Sequence, residues 1–124
     1  MTPVDDIRRA ALALPEVIEG RHFGLLSFKV RDKTFVTIQQ GETHAIVHLD
    51  RDAADAVAAR SAGRHESISR SGGKVFVGLR IDLGALSPSE IAELVGLGWR
   101  NRAPKRLVAA HDAPPRRGRR IPKT

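Results

Sequence analysis

The stretch 27–49 constrains the fold more than any other. It reads Ser27-Phe28-Lys29-Val30, Arg31-Asp32-Lys33, Thr34-Phe35-Val36-Thr37-Ile38-Gln39, Gln40-Gly41-Glu42, and Thr43-His44-Ala45-Ile46-Val47-His48-Leu49. Three runs rich in β-branched and aromatic residues are separated by two short polar turns, the signature of a β-meander. Asp32 tolerates left-handed backbone and suits the first turn. Gly41 supplies a positive φ for the second. Phe28 and Val30 alternate with Lys29 and Arg31, and Ala45, Val47 and Leu49 alternate with His44, Ile46 and His48. One face is therefore expected to be buried and the other wet or only partly covered. A lone hairpin is marginal in water, so the helical stretches on either side are the expected cover.

The first helix opens with Thr2 as cap, Pro3 at its first position and Asp5 and Asp6 near its positive end. Val4, Ile7, Ala11 and Leu14 form its apolar stripe, and Pro15 stops it. Residues 16–24 read as a connector, with Phe23 packing at a sheet edge. Asp50 caps a second helix over residues 51–60, whose small apolar face (Ala53, Ala54, Val57, Ala58) makes it peripheral; Gly63 ends it. Residues 64–73 read as a loop with room for a short strand over 66–69. Residues 74–81 form a near-continuous apolar run that belongs inside the sheet. Gly78 within it marks a bulge or a close backbone approach.

Ser87-Pro88-Ser89-Glu90 is a capping-box start. Ile91, Leu94, Val95 and Trp99 give the apolar face of that helix, and Pro104 limits it to about residue 102. Gly96 and Gly98 mean either close packing or an early end. Residues 110–124 hold Pro114, Pro115, Gly118 and Pro122 without apolar periodicity. The expectation is one α+β domain over residues 1–108, a twisted antiparallel sheet with helices on one face. A disordered basic tail over 109–124 is expected to follow.

Charge sharpens that division. The net charge is +7, yet residues 1–99 hold 12 Lys/Arg against 13 Asp/Glu, and residues 100–124 hold 9 against the single Asp112. The basic excess is wholly C-terminal. There is no cysteine, which excludes disulfides and thiolate zinc sites and fits a reducing compartment. No run of 18 apolar residues predicts a membrane span, and the N-terminus lacks the order of a signal peptide. Cytoplasmic location is the expectation.

Catalytic motifs are absent: there is no Gly-x-Ser-x-Gly elbow. The phosphate-loop pattern fails because Val75 follows Gly73-Lys74 and residue 68 is Ile. His44 and His48 on one strand stand about 13 Å apart, too far to share a metal ion, and His22 reads as structural. Neither a metal nor a cofactor is expected.

The helix ending in Leu14-Pro15 is followed by Glu19-Gly20-Arg21-His22-Phe23-Gly24 and then by Phe28-Lys29-Val30-Arg31-Asp32-Lys33-Thr34-Phe35. Near the C-terminus stands Trp99-Arg100-Asn101-Arg102-Ala103-Pro104-Lys105-Arg106-Leu107. This order resembles the MmcQ/YjbR-like family over about residues 3–108. The resemblance implies a CyaY-like fold and DNA binding through a double-wing arrangement. The chain departs from the family pattern in lacking the aromatic residue often found before the last strand, around 67–73. It departs again in carrying Gly96 and Gly98 where helix formers are usual. The CyaY comparison also brings iron to mind, but that function needs an acidic ridge, and the first helix offers only Asp5 and Asp6 beside Arg8 and Arg9.

The candidate DNA-binding residues are Lys29, Arg31 and Lys33 on the first hairpin, Arg70 and Lys74 around the Ser71-Gly72-Gly73 turn, and Arg100, Arg102, Lys105 and Arg106 after the last helix. Arg116, Arg117, Arg119 and Arg120 join them from the tail. Phosphates need spaced cations and backbone donors, and no recognition helix argues for sequence readout. Aromatic residues make up only 4% of the chain, so stacking platforms are scarce. The leading expectation is a non-enzymatic, weakly specific DNA-binding protein, monomeric or weakly dimeric. The alternatives are a protein–protein interaction module, a solvated basic face with no partner, or an enzyme with a small ligand between sheet and helices.

Overall fold

The computed structural model describes residues 2–112. Helix α1 spans Pro3–Leu12; strands β1 to β4 are Val17–His22, Leu25–Val30, Lys33–Ile38 and His44–Val47; α2 is Arg51–Ala59. Strands β5 and β6 are Glu66–Arg70 and Val75–Asp82, a 3-10 turn covers Leu83–Ala85, and α3 and α4 are Pro88–Arg102 and Lys105–Asp112. The strands form one antiparallel sheet in the order β1-β2-β3-β4-β6-β5. No helix among the described residues is long and apolar enough to cross a membrane.

The meander closes as its turn residues dictate. Val30 pairs with Lys33, and the two residues between them, Arg31 and Asp32, both take positive φ (50° and 68°). That is the pattern whose twist matches the strands it joins. Gly41 takes φ 90° in the second turn. Both helix starts form capping boxes: Thr2 with Asp5, and Ser87 with Glu90.

The cross-strand row Phe28, Val36, Val47, Leu79 and the neighbouring pairs Ile38–Ala45 and Ala45–Ile81 put their apolar side chains on one face, where all are buried. Helices α1, α2 and α3 lie on that side. Arg8 of α1 pairs with Glu19 at 2.9 Å, Ser67 donates to Asp55 of α2, and α3 presses on Val47 at Gly98. Burying this face is the main stabilising term. Ser27 and Thr37 sit opposite one another on the other face, where both hydroxyls are buried without a partner among the described residues.

Four expectations are corrected. Residues 17–22 are an edge strand and not a connector: β2 supplies all the hydrogen bonds of that strand, so a weakly patterned sequence suffices. Phe23 does not pack at a sheet edge. It occupies the two-residue β1–β2 turn at φ 53°, 88% exposed. Helix α1 ends at Leu12, two residues before Leu14, although Leu14 still bonds back to Ala11. The ordered chain continues past 108, because α4 runs to Asp112. Arg100 pairs with Asp112, and the Trp99 and His111 rings meet at 5.0 Å. The tail expected over 109–124 otherwise lies outside the described residues.

The two helical glycines behave differently. A Cβ at Gly98 would stand 2.7 Å from Val47 Cγ1 and 3.0 Å from the Phe35 carbonyl oxygen, whereas at Gly96 it would meet nothing within 4 Å. Gly96→Ala should therefore stabilise by roughly 1 kcal/mol through helix propensity. Gly98→Ala gains the same propensity but forces α3 off the sheet, with a net loss of roughly 1–2 kcal/mol. Urea midpoints of the two variants should move in opposite directions. Equal shifts would mean that α3 does not seat on Val47.

Candidate nucleic-acid interface

Strand β4 is only four residues long, and that shortness shapes the site. It ends at Val47, which pairs with Val36 on one side and Leu79 on the other. Strand β3 begins three residues before Val36 and β6 four residues before Leu79. The β2–β3 and β5–β6 hairpins thus overhang the sheet by about 10 Å, at roughly 3.3 Å per residue. Both bend where they leave it: the register slips between Phe28 and Lys29 and again between Ile68 and Ser69. Such bulges re-aim the strand beyond them. Gly78 lies at the second bend, where a Cβ would come within 2.6 Å of the Val47 carbonyl oxygen.

The gap between the hairpins is floored by the end of α3. Asn101 Nδ2 donates to the His48 carbonyl at 2.7 Å, and the His48 amide donates to the Phe35 carbonyl at 2.9 Å. Clefts open on both sides of this floor. The one on the helix side, about 640 Å³, is lined by Arg31, Lys33, Arg100, Arg102 and Lys105 among others, with Asp50 as its acid. The one away from the helices, about 480 Å³, is lined by His22, Lys29, Lys33, His48, Phe76, Arg70 and Arg102, with Asp32 as its acid. Lys33 and Arg102 face both. A third hollow places Arg106 beside Arg31.

Of the nine candidate cations in the described residues, eight line these three cavities and Lys74 lines none of them. They are not equivalent. Arg31 is paired with Glu16, its Nη2 donating to Oε2 at 3.0 Å, and Arg100 is paired with Asp112. The hydrogen bond and the carboxylate charge raise each guanidinium's pKa and lower that of its partner. Lys29, Lys33, Arg70 and Arg102 have no acidic partner within 4.0 Å among the described residues, and Arg102 Nε is buried without a hydrogen bond. Lys74, Lys105 and Arg106 likewise have no acidic partner among the described residues, so seven of the nine candidates have charge to spare; the first four are the ones that line the cleft away from the helices. The tail candidates Arg116, Arg117, Arg119 and Arg120 lie outside the described residues.

No family model, curated protein or solved structure matches this chain. The site therefore has to be read from its own geometry.

From the sequence, His48 reads as an ordinary surface or edge histidine. Burial foremost, then the Arg102 guanidinium, pushes its pKa down to about 4. It is neutral at pH 7 and brings a polar ring to the cleft, not a charge; its Nε2 is buried and unpartnered. His22 was expected to tie a connector to the core and instead lines the same cleft, its ring 4.5 Å from that of Phe23. Phe76 and Asn101 were not candidates at all. Nothing local marks them, because their role follows from β4 stopping short. Among the described residues, no group of three or more His, Asp or Glu could hold a metal ion.

Proposed function

We propose that this chain is a non-enzymatic, weakly sequence-specific DNA-binding protein of the MmcQ/YjbR kind, acting in the cytoplasm as a monomer or weak dimer. One observation supports it above the others: cations from two separate hairpins and from the end of α3 converge on one gap, with Lys29, Lys33, Arg70 and Arg102 unneutralised. Overhanging arms carrying spaced cations suit a phosphate backbone, which fixes position and carries no sequence information. Among the described residues no helix is presented as a reader of base edges, so specificity is expected to be low.

Fluorescence anisotropy with a short duplex, read across a salt series, tests this. If the four cations each meet a phosphate, log affinity falls against log salt with a slope of about −3.6 from them alone, at about 0.9 per phosphate. Affinity for duplex that does not respond to salt contradicts phosphate binding and favours the protein–protein interaction module.

A further inference from the structure

The cleft away from the helices brings together two kinds of group that the composition makes scarce side by side. Lys29, Lys33, Arg70 and Arg102 supply charge, and the His22 and His48 rings line the same space; Phe76 borders it, with Arg51 of α2 over its ring at 4.9 Å. Cations alone would serve a duplex. Rings beside cations serve unpaired bases, because every base has a π-face and a duplex hides it.

Phe23 extends this set. A bulky residue with positive φ is a conformational outlier, and the two-residue turn it occupies favours Asn or Gly at that place. Phe23 is nonetheless held there at φ 53°, 88% exposed, with its ring edge against His22. Packing does not account for it, since so exposed a ring buries almost nothing. Strain kept at an exposed position points to use. Through His22, the Phe23 ring adjoins the cleft margin; Lys29, whose Cε lies 3.9 Å from where a Cβ on Gly20 would stand, is the cleft cation on this side, while Lys33 lies beyond the other end of β2. The cleft's 480 Å³ falls within the range of small-ligand sites, the scale of one nucleotide.

We infer that this face of the sheet binds an unpaired nucleic-acid strand, with a base stacked on Phe23 and His22, Lys29 holding the phosphate next to it, and Lys33, Arg70 and Arg102 holding phosphates further along the strand. This rests on the nucleic-acid reading above and deepens it by naming the form of the polymer.

The test uses the full chain at low salt with three probes: a mixed-sequence single strand of roughly a dozen nucleotides, an abasic strand of the same phosphate count, and the matching blunt duplex. The strand with bases should bind about tenfold tighter than the abasic one, the scale of one stacked base, and tighter than the duplex. Phe23→Asn should abolish most of the base-dependent gain and leave abasic-strand affinity unchanged. The same variant should melt a few degrees higher, because Asn takes positive φ with less strain. A gain in stability with a loss of binding separates use from mere folding. Equal binding of the abasic strand, tighter binding of the duplex, or an unchanged gain in Phe23→Asn overturns the inference while DNA binding itself stands. If no probe binds at low salt, the broader reading falls too.

Discussion

Trp99→Ala is expected to cost about 3–5 kcal/mol, the usual range for deleting a large buried aromatic side chain. Trp99 is fully buried in α3. Its Nε1–H donates to the Pro15 carbonyl at 3.1 Å, and the ring meets His111 of α4 at 5.0 Å. One side chain thus fastens the segment after α1 and the last helix to the helix that packs on the sheet. A domain of this size has a total stability of about 5–15 kcal/mol, so the loss is a large part of the whole. Urea unfolding followed by circular dichroism checks it, since the variant lacks the chain's one tryptophan. Trp99→Phe keeps most of the ring but leaves the Pro15 carbonyl without its donor; roughly 1–2 kcal/mol is expected. If the alanine variant loses less than about 1 kcal/mol, far below that range, Trp99 is not the fastener described.

Much of this framework was legible in the sequence, and for local reasons. Asp32 and Gly41 announced the meander turns because a backbone with positive φ admits few residues at low cost. Thr2 announced a helix start as a cap followed by Pro3 and two acids, and Ser87 as a hydroxyl three residues before Glu90 in a capping box. The run at 74–81 announced an inner strand, and β6 does lie between β4 and β5. Gly78 and Gly98 were recognisable as exceptions, and each proves to be a close approach to backbone.

The rest depended on distances that sequence does not carry. Strand β1 escaped notice because Val17-Ile18-Glu19-Gly20-Arg21-His22 is mixed in pattern and gains its order from β2. Phe23 read as packing at a sheet edge because hydrophobicity says nothing of the backbone conformation that a turn imposes. The candidate cations were named, but their ranking was not. Glu16 and Asp112, which neutralise Arg31 and Arg100, lie 15 and 12 residues away in sequence. The gap exists because β4 is shorter than its neighbours, a difference of two residues against β3 and four against β6. Small differences in length between adjacent strands decide where an antiparallel sheet opens, and there the ring groups missed earlier (His48, Phe76) are found.

Two pools of cations compete to explain any DNA affinity, and the second large effect separates them. Arg116, Arg117, Arg119, Arg120 and Lys123 lie beyond Asp112, while the gap residues belong to the folded part. Ending the chain after Asp112 keeps α4 and the Arg100–Asp112 pair, and every residue of the described core lies before that cut. Removing the five cations should shrink the salt slope by at most about 4.5 units and, if about half of them engage phosphates, by roughly 2 to 3. Reversing Lys29, Lys33 and Arg70 to Glu should then weaken the full chain modestly. The shortened chain, where the gap alone remains, should be weakened by a larger factor, because the removed cations no longer offset the added acids. Anisotropy titrations of all four proteins at two salt concentrations give the comparison. If shortening changes neither affinity nor slope while the triple reversal abolishes binding, the C-terminal cations are bystanders and the gap is the whole site. If shortening abolishes binding and the reversal then has nothing left to weaken, the hairpins are solvated charge and the affinity is non-specific attraction to a basic end. Affinity that survives both changes would mean phosphates were never the ligand, and the exposed Phe23 turn would then be the place to look for a protein partner.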